Sequence, residues 1–245
     1  MDNALYVGLS RQMTLRRELD VVANNVANVD TVGFKVEALM VGTDTETLPA
    51  AGPAPDTVHF ALDGGVARDF SQGALKQTGS TLDVALDGQG FFRVSTPNGE
   101  RYTRDGRLSL DSQGRLVTSS GNPVLDSSGG EITLDLSKGA PKIGADGTIS
   151  QGTLTAGAIG VANFASLSAL SKEGNGLYSN VSNLQPAPAP DTRIRQGMIE
   201  SSNVDPISQI TKLVEVSRAY ETISKMMDQT ASLSTDAINR LGQLN

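Results

Sequence analysis

Ten positions near the C-terminus place the tightest constraint on this 245-residue chain. Leu213, Val216, Tyr220, Ile223, Met227, Thr230, Ser234, Ala237, Leu241 and Leu244 follow at spacings of three and four, and eight of the ten are apolar. That pattern draws one apolar stripe along a long helix, which then requires a helical partner. A second stripe occupies the other end: Met1, Leu5, Gly8, Gln12, Leu15, Leu19, Val22 and Val26, six of eight apolar. An isolated helix is marginal in water. The economical solution pairs the two ends into one discontinuous helical domain.

Between the ends the signal changes. Residues 36–59 read as a linker, because 42–58 (GTDTETLPAAGPAPDTV) is rich in Pro, Ala and Thr and has no period. From 60 to 184, short alternating runs are separated by turns, which reads as an all-β domain. Leu82, Val84 and Leu86 share one strand face, with Asp83 and Asp87 on the other. Gly88–Gly90 reads as a hairpin turn into a strand beginning near Phe91, and Asp105-Gly106, Gln113-Gly114 and Gly121-Asn122 as further turns. Residues 185–196, opening on QPAPAP, read as a second, Pro-rich linker. Asp205-Pro206 then supplies an N-cap with proline at the first helical position. The expected fold class is mixed α and β. Residues 1–35 and 197–245 form a coiled-coil domain around an all-β central one.

The stretch ANNVANVDTVGFK, 23–35, ends the first helix with three asparagines, which are poor helix formers. Asn24 and Asn28 are four apart and share a helix face, while Asn25 lies about 100° round. An amide both donates and accepts, so these residues suit contacts between neighbouring helices as well as capping. Gly33 permits a turn, and Phe34 reads as an exposed ring that anchors the exit in a neighbouring subunit.

Composition removes several function classes. The net charge of −7 opposes nucleic-acid binding, which needs clustered Lys and Arg. With no cysteine there is no disulfide, thiol nucleophile or Cys-ligated zinc. His59 is the only histidine, and no G-x-S-x-G elbow accompanies it, so a hydrolase triad and a His-based metal site both lack partners. Asp83 and Asp87 on one strand lie about 13 Å apart, against the roughly 5–9.5 Å of a glycosidase pair. Gly88 and Gly90 lack the third glycine and helix of a dinucleotide fingerprint. Asp105, Asp111 and Asp126 are too scattered for an EF-hand loop. No cofactor is expected. The N-terminus lacks the apolar core of a secretory signal, and no run is long enough to span a membrane.

Four stretches together resemble the flagellar basal-body rod and hook proteins: ANNVANVDTVGFK, TGSTLDVALDGQGFF (78–92), YTRDGRLSLDSQGRLVTSSGNPVL (102–125) and GMIESSNVDPISQITKLVEVSRAYETISKMM (197–227). They cover well over half the chain, in the family's order. The opening and modest length are most similar to the proximal-rod members. A distal-rod subunit is the nearest alternative. More distant ones are a periplasmic or surface enzyme, and a β-domain binding module with helical multimerisation arms. The resemblance implies a non-enzymatic subunit, exported by the flagellar type III apparatus without a cleaved signal. It would stack with itself and with homologous rod subunits in the periplasm into a drive shaft. No nucleic acid and no membrane insertion is expected. In such a shaft the helical ends form the axial layer and the β domain lies outside. The residues expected at the subunit interface are Leu15, Leu19, Val22, Asn24, Asn25, Val26, Asn28, Gly33, Phe34, Leu213, Val216, Tyr220, Ile223, Met227 and Leu241.

Overall fold

The computed structural model describes residues 2–48, 56–135, 137–182 and 184–242. The chain forms two compact units. One comprises Met1–Ala27, Val36–Asp69 and Asp205–Asn245, the other Asn28–Lys35 and Phe70–Val204.

The first unit holds α1 (Asp2–Ala27), β1 (Glu37–Leu48), β2 (Asp56–Arg68) and α2 (Pro206–Gly242). Helix α2 begins where the sequence predicts. The Asp205 carboxylate accepts the Ile207 N–H at 3.2 Å, and Pro206 has no N–H to leave unpaired. Its 37 residues span about 56 Å. The two helices run antiparallel. A Cβ on Gly8 would lie 3.1 Å from Met227 Cγ, Lys212 Nζ is 3.1 Å from a Glu18 carboxylate oxygen, and Asn25 reaches Gln209 at 3.0 Å. As α1 numbers rise, their α2 partners fall.

Residues 36–59 are not a plain linker. Strands β1 and β2 pair antiparallel from Glu37↔Arg68 to Leu48↔Asp56, with an irregularity between Leu39 and Val41. Arg68 closes the base on Glu37 at 2.7 Å. Val58, Phe60 and Leu62 alternate on β2, but from Thr43 onward β1 carries no apolar alternation. Its TDTET run alternates Thr with acids instead, and the β-branched threonines suit a pleated strand. The Pro/Ala run at 49–55 lies outside the described residues.

The second unit is all-β apart from one 3₁₀ turn at Leu167–Ala169. Six strands form its principal antiparallel sheet: β5 (Phe91–Thr96), β6 (Gly99–Thr103), β12 (Val161–Asn163), β13 (Leu170–Lys172), β14 (Leu177–Asn180) and β15 (Ala187–Pro188). Their order is β13-β14-β6-β5-β12-β15. Around it lie β9 (Lys142–Ile143), β10 (Thr148–Gln151) and β11 (Leu154–Ala158) as one sheet. Three strand pairs complete the unit: β3 (Leu75–Gln77) with β17 (Met198–Glu200), β4 (Val84–Asp87) with β16 (Arg193–Gln196), and β7 (Leu108–Leu110) with β8 (Leu116–Thr118).

Neighbouring phenylalanines on β5 show how the unit divides its interior. Phe92 and Val94 point into an aliphatic core with Val84, Leu86, Leu116, Ile132 and Ile149. Phe91 points the other way, into an aromatic cluster with Tyr102, Phe164 and Tyr178. Rings there meet edge-on, Tyr102 and Phe164 at 4.8 Å between centroids. Leu82, Val84 and Leu86 share the aliphatic core as the alternation predicts.

Gly88–Gly90 is not a hairpin turn. Strand β4 pairs with β16, while β5 pairs with β6 and β12, so this segment carries the chain from one sheet to another. Gly90, at φ 131°, approaches so closely that a Cβ would lie 2.8 Å from Val161. The expected 185–196 linker also differs. Ala187–Pro188 pairs with β12 and Arg193–Gln196 with β4. Pro188 is tolerated because β15 is an edge strand, where a missing N–H breaks no ladder.

Several turns are closed by an aspartate that accepts backbone N–H groups two and four residues on, as Asp126 does from Ser128 and Gly130. The Gly130 N–H and the Ser128 hydroxyl hold Asp126 below the ordinary carboxylate range. The Thr148 hydroxyl does the same for Asp146, as does that of Ser137 for Asp135. A depressed carboxyl contributes stability above its unfolded value and loses it as pH falls through the folded one. The β unit is therefore expected to keep its denaturation midpoint from pH 7 to about 5 and lose stability progressively below about pH 4. Urea titrations followed by tyrosine circular dichroism check this.

Candidate assembly surface

The helical pair places most expected interface residues along its own seam. Leu15, Val22 and Val216 are buried, and Leu19, Val26, Leu213, Tyr220, Ile223 and Met227 are half-buried. The seam is therefore partly covered within one chain. Leu241 lies on α2, but its side chain is outside the described residues, as is that of His59 on β2.

The asparagines separate by role. Asn24 is exposed and Asn28 half-buried, Asn28 accepting the Thr31 hydroxyl at 3.0 Å. Asn25 is fully buried. Its amide donates to the Glu37 carbonyl at 2.7 Å and to Gln209 at 3.0 Å, and it accepts the Glu37 N–H at 2.9 Å. One side chain thus joins α1, β1 and α2, and its bonding is spent inside the unit. Replacing it with Ala removes a buried side chain's bonds to the Glu37 N–H and carbonyl and to Gln209, each worth about 0.5–1.5 kcal/mol. Asn25→Ala is expected to lower the stability of the helical unit by roughly 2–4 kcal/mol. Asn24 is exposed, so Asn24→Ala should cost clearly less. Thermal melts at 222 nm compare the two.

Gly33 and Phe34 belong to the β unit. Gly33 sits at φ 69°, donates to the Glu200 carbonyl at 2.8 Å, and leaves no room for a Cβ, which would fall 2.6 Å from the Arg104 backbone. Phe34 is not the exposed anchor expected. It is buried, with Lys172 Nζ 4.4 Å from its ring centroid. The β sheet supplied a pocket for this ring that no local pattern announces.

Beside them lies a feature no sequence signal marked. Lys35 is buried and donates to a Glu200 carboxylate oxygen at 2.5 Å and to the Ser71 carbonyl at 2.6 Å. Arg104 reaches the other Glu200 oxygen at 3.0 Å and the Gly88 carbonyl at 2.9 Å, with Phe91 beneath it at 5.3 Å. The Gly73 N–H adds a third contact to Glu200. Burial pulls the Arg104 guanidinium below its usual value, opposed by Glu200. Two cations thus share one carboxylate, tying residues 35 and 200 into the β unit. Residues this far apart in sequence carry no shared periodicity, so the only clue available was their charge.

A second set also escaped the seam analysis. Tyr6, Leu9 and Met13 on α1 and Ile207, Ile210 and Val214 on α2 are all exposed. Both sets lie at helical spacing, so the signal was present. It was masked by the stronger seam beside it.

Among the described residues no His/Cys/Asp/Glu cluster could hold a metal ion, and no helix is long and apolar enough to cross a membrane.

Comparison with known proteins follows the same division. Residues 5–35 match the flagella basal body rod protein family, 85–151 the flagellar hook protein FlgE/F/G D1 domain, and 195–241 the flagellar basal body rod FlgEFG protein C-terminal family. The flagellar basal-body rod protein FlgF of Caulobacter vibrioides is 53% identical, covering 100% of both chains. FlgF of Mesorhizobium japonicum is 40% identical over 99% of each. The rod protein FlgG of Bacillus subtilis is 32% identical over 98% of this chain and 99% of its own. Full-length likeness of this order, joined to paired terminal helices and a β unit that lies between them in sequence, makes the chain a member of the flagellar basal-body rod protein family, of the FlgF type.

Proposed function

We propose that the chain is a proximal-rod subunit, without catalytic activity, that polymerises through its terminal helices into the periplasmic shaft that carries torque. Homologous rod subunits stack on it, and the flagellar type III apparatus exports it with no cleaved signal. The observation that carries this reading is that α1 and α2 pair with each other and still keep apolar residues on faces neither uses within the chain. Torque demands stiffness, and repeated burial of such faces across a lattice supplies it. The helical unit forms the axial layer, and interface residues Leu19, Val26, Leu213, Tyr220, Ile223 and Met227 gain the rest of their burial there.

The test is fractionation of flagellated cells that make an epitope-tagged chain as their sole copy. The chain is expected to stay with the basal body through detergent and high salt, with label at the rod's inner end. Mass spectrometry should find its N-terminal residues intact. Recovery only from the soluble periplasm overturns the reading, and label at the outer end reassigns the chain to the distal rod.

A further inference from the structure

Helix α1 has three working faces. Its heptad face, with Leu15, Leu19 and Val22, belongs to the seam with α2, and a second buried face, Thr14, Val21 and Asn25, lies about 90° round it on a helix that also packs on β1 and β2. On the third face Tyr6, Leu9 and Met13 stay exposed, Met13 by 65%. This face borders a groove of about 510 Å³ between α1 and β2, lined by Met13, Arg16, Arg17, Leu62 and Asp63 among others. Its rim is only loosely paired, Arg17 standing 3.7 Å from Asp63.

Helix α2 carries a ridge of matching chemistry. Ile207, Ile210 and Val214 follow at i, i+3 and i+7, on the side turned away from the seam, and Ile207 is 76% exposed. That spacing is how a helix seats in an apolar groove. Asp205, also exposed, ends the ridge with a carboxylate, and the matching end of the groove carries Arg16 and Arg17, with Asp20 beyond them. A chain cannot fill its own groove. Its internal register sets Gln209 beside Asn25 and Lys212 beside Glu18, whereas the groove lies at positions 10–20 of α1.

We infer that the Ile207–Ile210–Val214 ridge of one copy docks antiparallel in the Met13–Leu62 groove of a second copy of this chain. This rests on the rod-subunit reading. Helices aligned with one axis keep their direction under a screw operation, so α1 and α2 of adjacent copies meet antiparallel, as they do within one copy. Ridge and groove are different surfaces. Each copy can therefore use both at once, and the contact is heterologous and open-ended.

The absence of native cysteine makes the test clean. Two paired variants, Met13→Cys with Ile210→Cys and Leu9→Cys with Val214→Cys, share one antiparallel register. In basal bodies isolated under oxidising conditions, each pair is expected to give a ladder of dimers, trimers and higher species on a non-reducing gel. Met13→Cys alone, and Ile210→Cys combined with Val181→Cys on the β unit, should give none. Separately, Ile210→Glu and Leu9→Glu alter exposed positions. They should leave helicity unchanged and cut the swimming-ring diameter by more than half. Undiminished swimming overturns the inference. So does a chain present in basal bodies without a ladder, or a cross-link to a different protein. If the wild-type chain is itself absent from basal bodies, the rod-subunit reading fails first.

Discussion

Val216→Asp is expected to abolish incorporation of the chain into the rod while leaving the β unit folded. Among the described residues Val216 is the one buried member of the α2 seam, with only 6% of its surface exposed. It faces the same seam as Leu15 and Val22, and the cation one turn before it on α2, Lys212, is already engaged by Glu18 at 3.1 Å. An unpaired carboxylate there costs several kcal/mol of desolvation, or forces protonation. A helix pair whose seam is mostly half-buried has little stability to spare against that. Leu213→Asp and Ile223→Asp should act the same way with a smaller monomer effect, because both positions already touch water. The β unit has its own two clusters, neither of which includes a residue from α1 or α2. Ellipticity at 222 nm should therefore fall, while the near-ultraviolet signal of Tyr102 and Tyr178 persists. Wild-type swimming by a Val216→Asp strain would show that the seam is not needed for assembly.

The second large effect concerns the buried ion cluster. Glu200→Gln leaves Lys35 and Arg104 facing each other in a site from which water is excluded, and should destabilise the β unit by about 3–5 kcal/mol. Lys35→Met removes the excess cation and leaves the Arg104–Glu200 pair balanced, so its cost should be clearly smaller. Its aliphatic replacement also fills the volume of the lysine stem. The order of the two variants is the diagnostic result. A charge-balance account demands that loss of the single acid hurts more than loss of one of two bases. Urea midpoints measured at pH 7 decide it. Equal midpoints would mean that packing, not charge, governs the cluster.

How much of this was legible beforehand depends on the range of the forces involved. Both helices, the Asp205-Pro206 start of α2, their mutual pairing and the β character of the middle follow from periodicity and turn chemistry, which act over a few residues. The β1–β2 ribbon escaped because the Thr/acid alternation of β1 and the Pro/Ala run that follows it resemble a loop. Pro188 in an edge strand escaped because edge status depends on which strands pair, and pairing is non-local. Asn25 reads from the sequence as an interface amide, whereas in the structure its bonds go to Glu37 and Gln209 of the same chain. Glu37 and Gln209 lie 12 and 184 positions away, so nothing near position 25 reveals that they complete its bonding.

Sequence alone determined that two apolar stripes at opposite ends of this chain must find helical partners, since burial of a heptad stripe admits few other solutions. Only the tertiary structure decided which apolar residues the chain covers itself and which it leaves for others. Phe34 turned inward because the β sheet built a pocket for it, while Met13 and Ile207 stayed outside because the seam had already taken the facing sides of their helices. Hydrophobic attraction has no direction of its own. The stripes say that something must be buried; the packed backbone says where the supply of inner surface runs out.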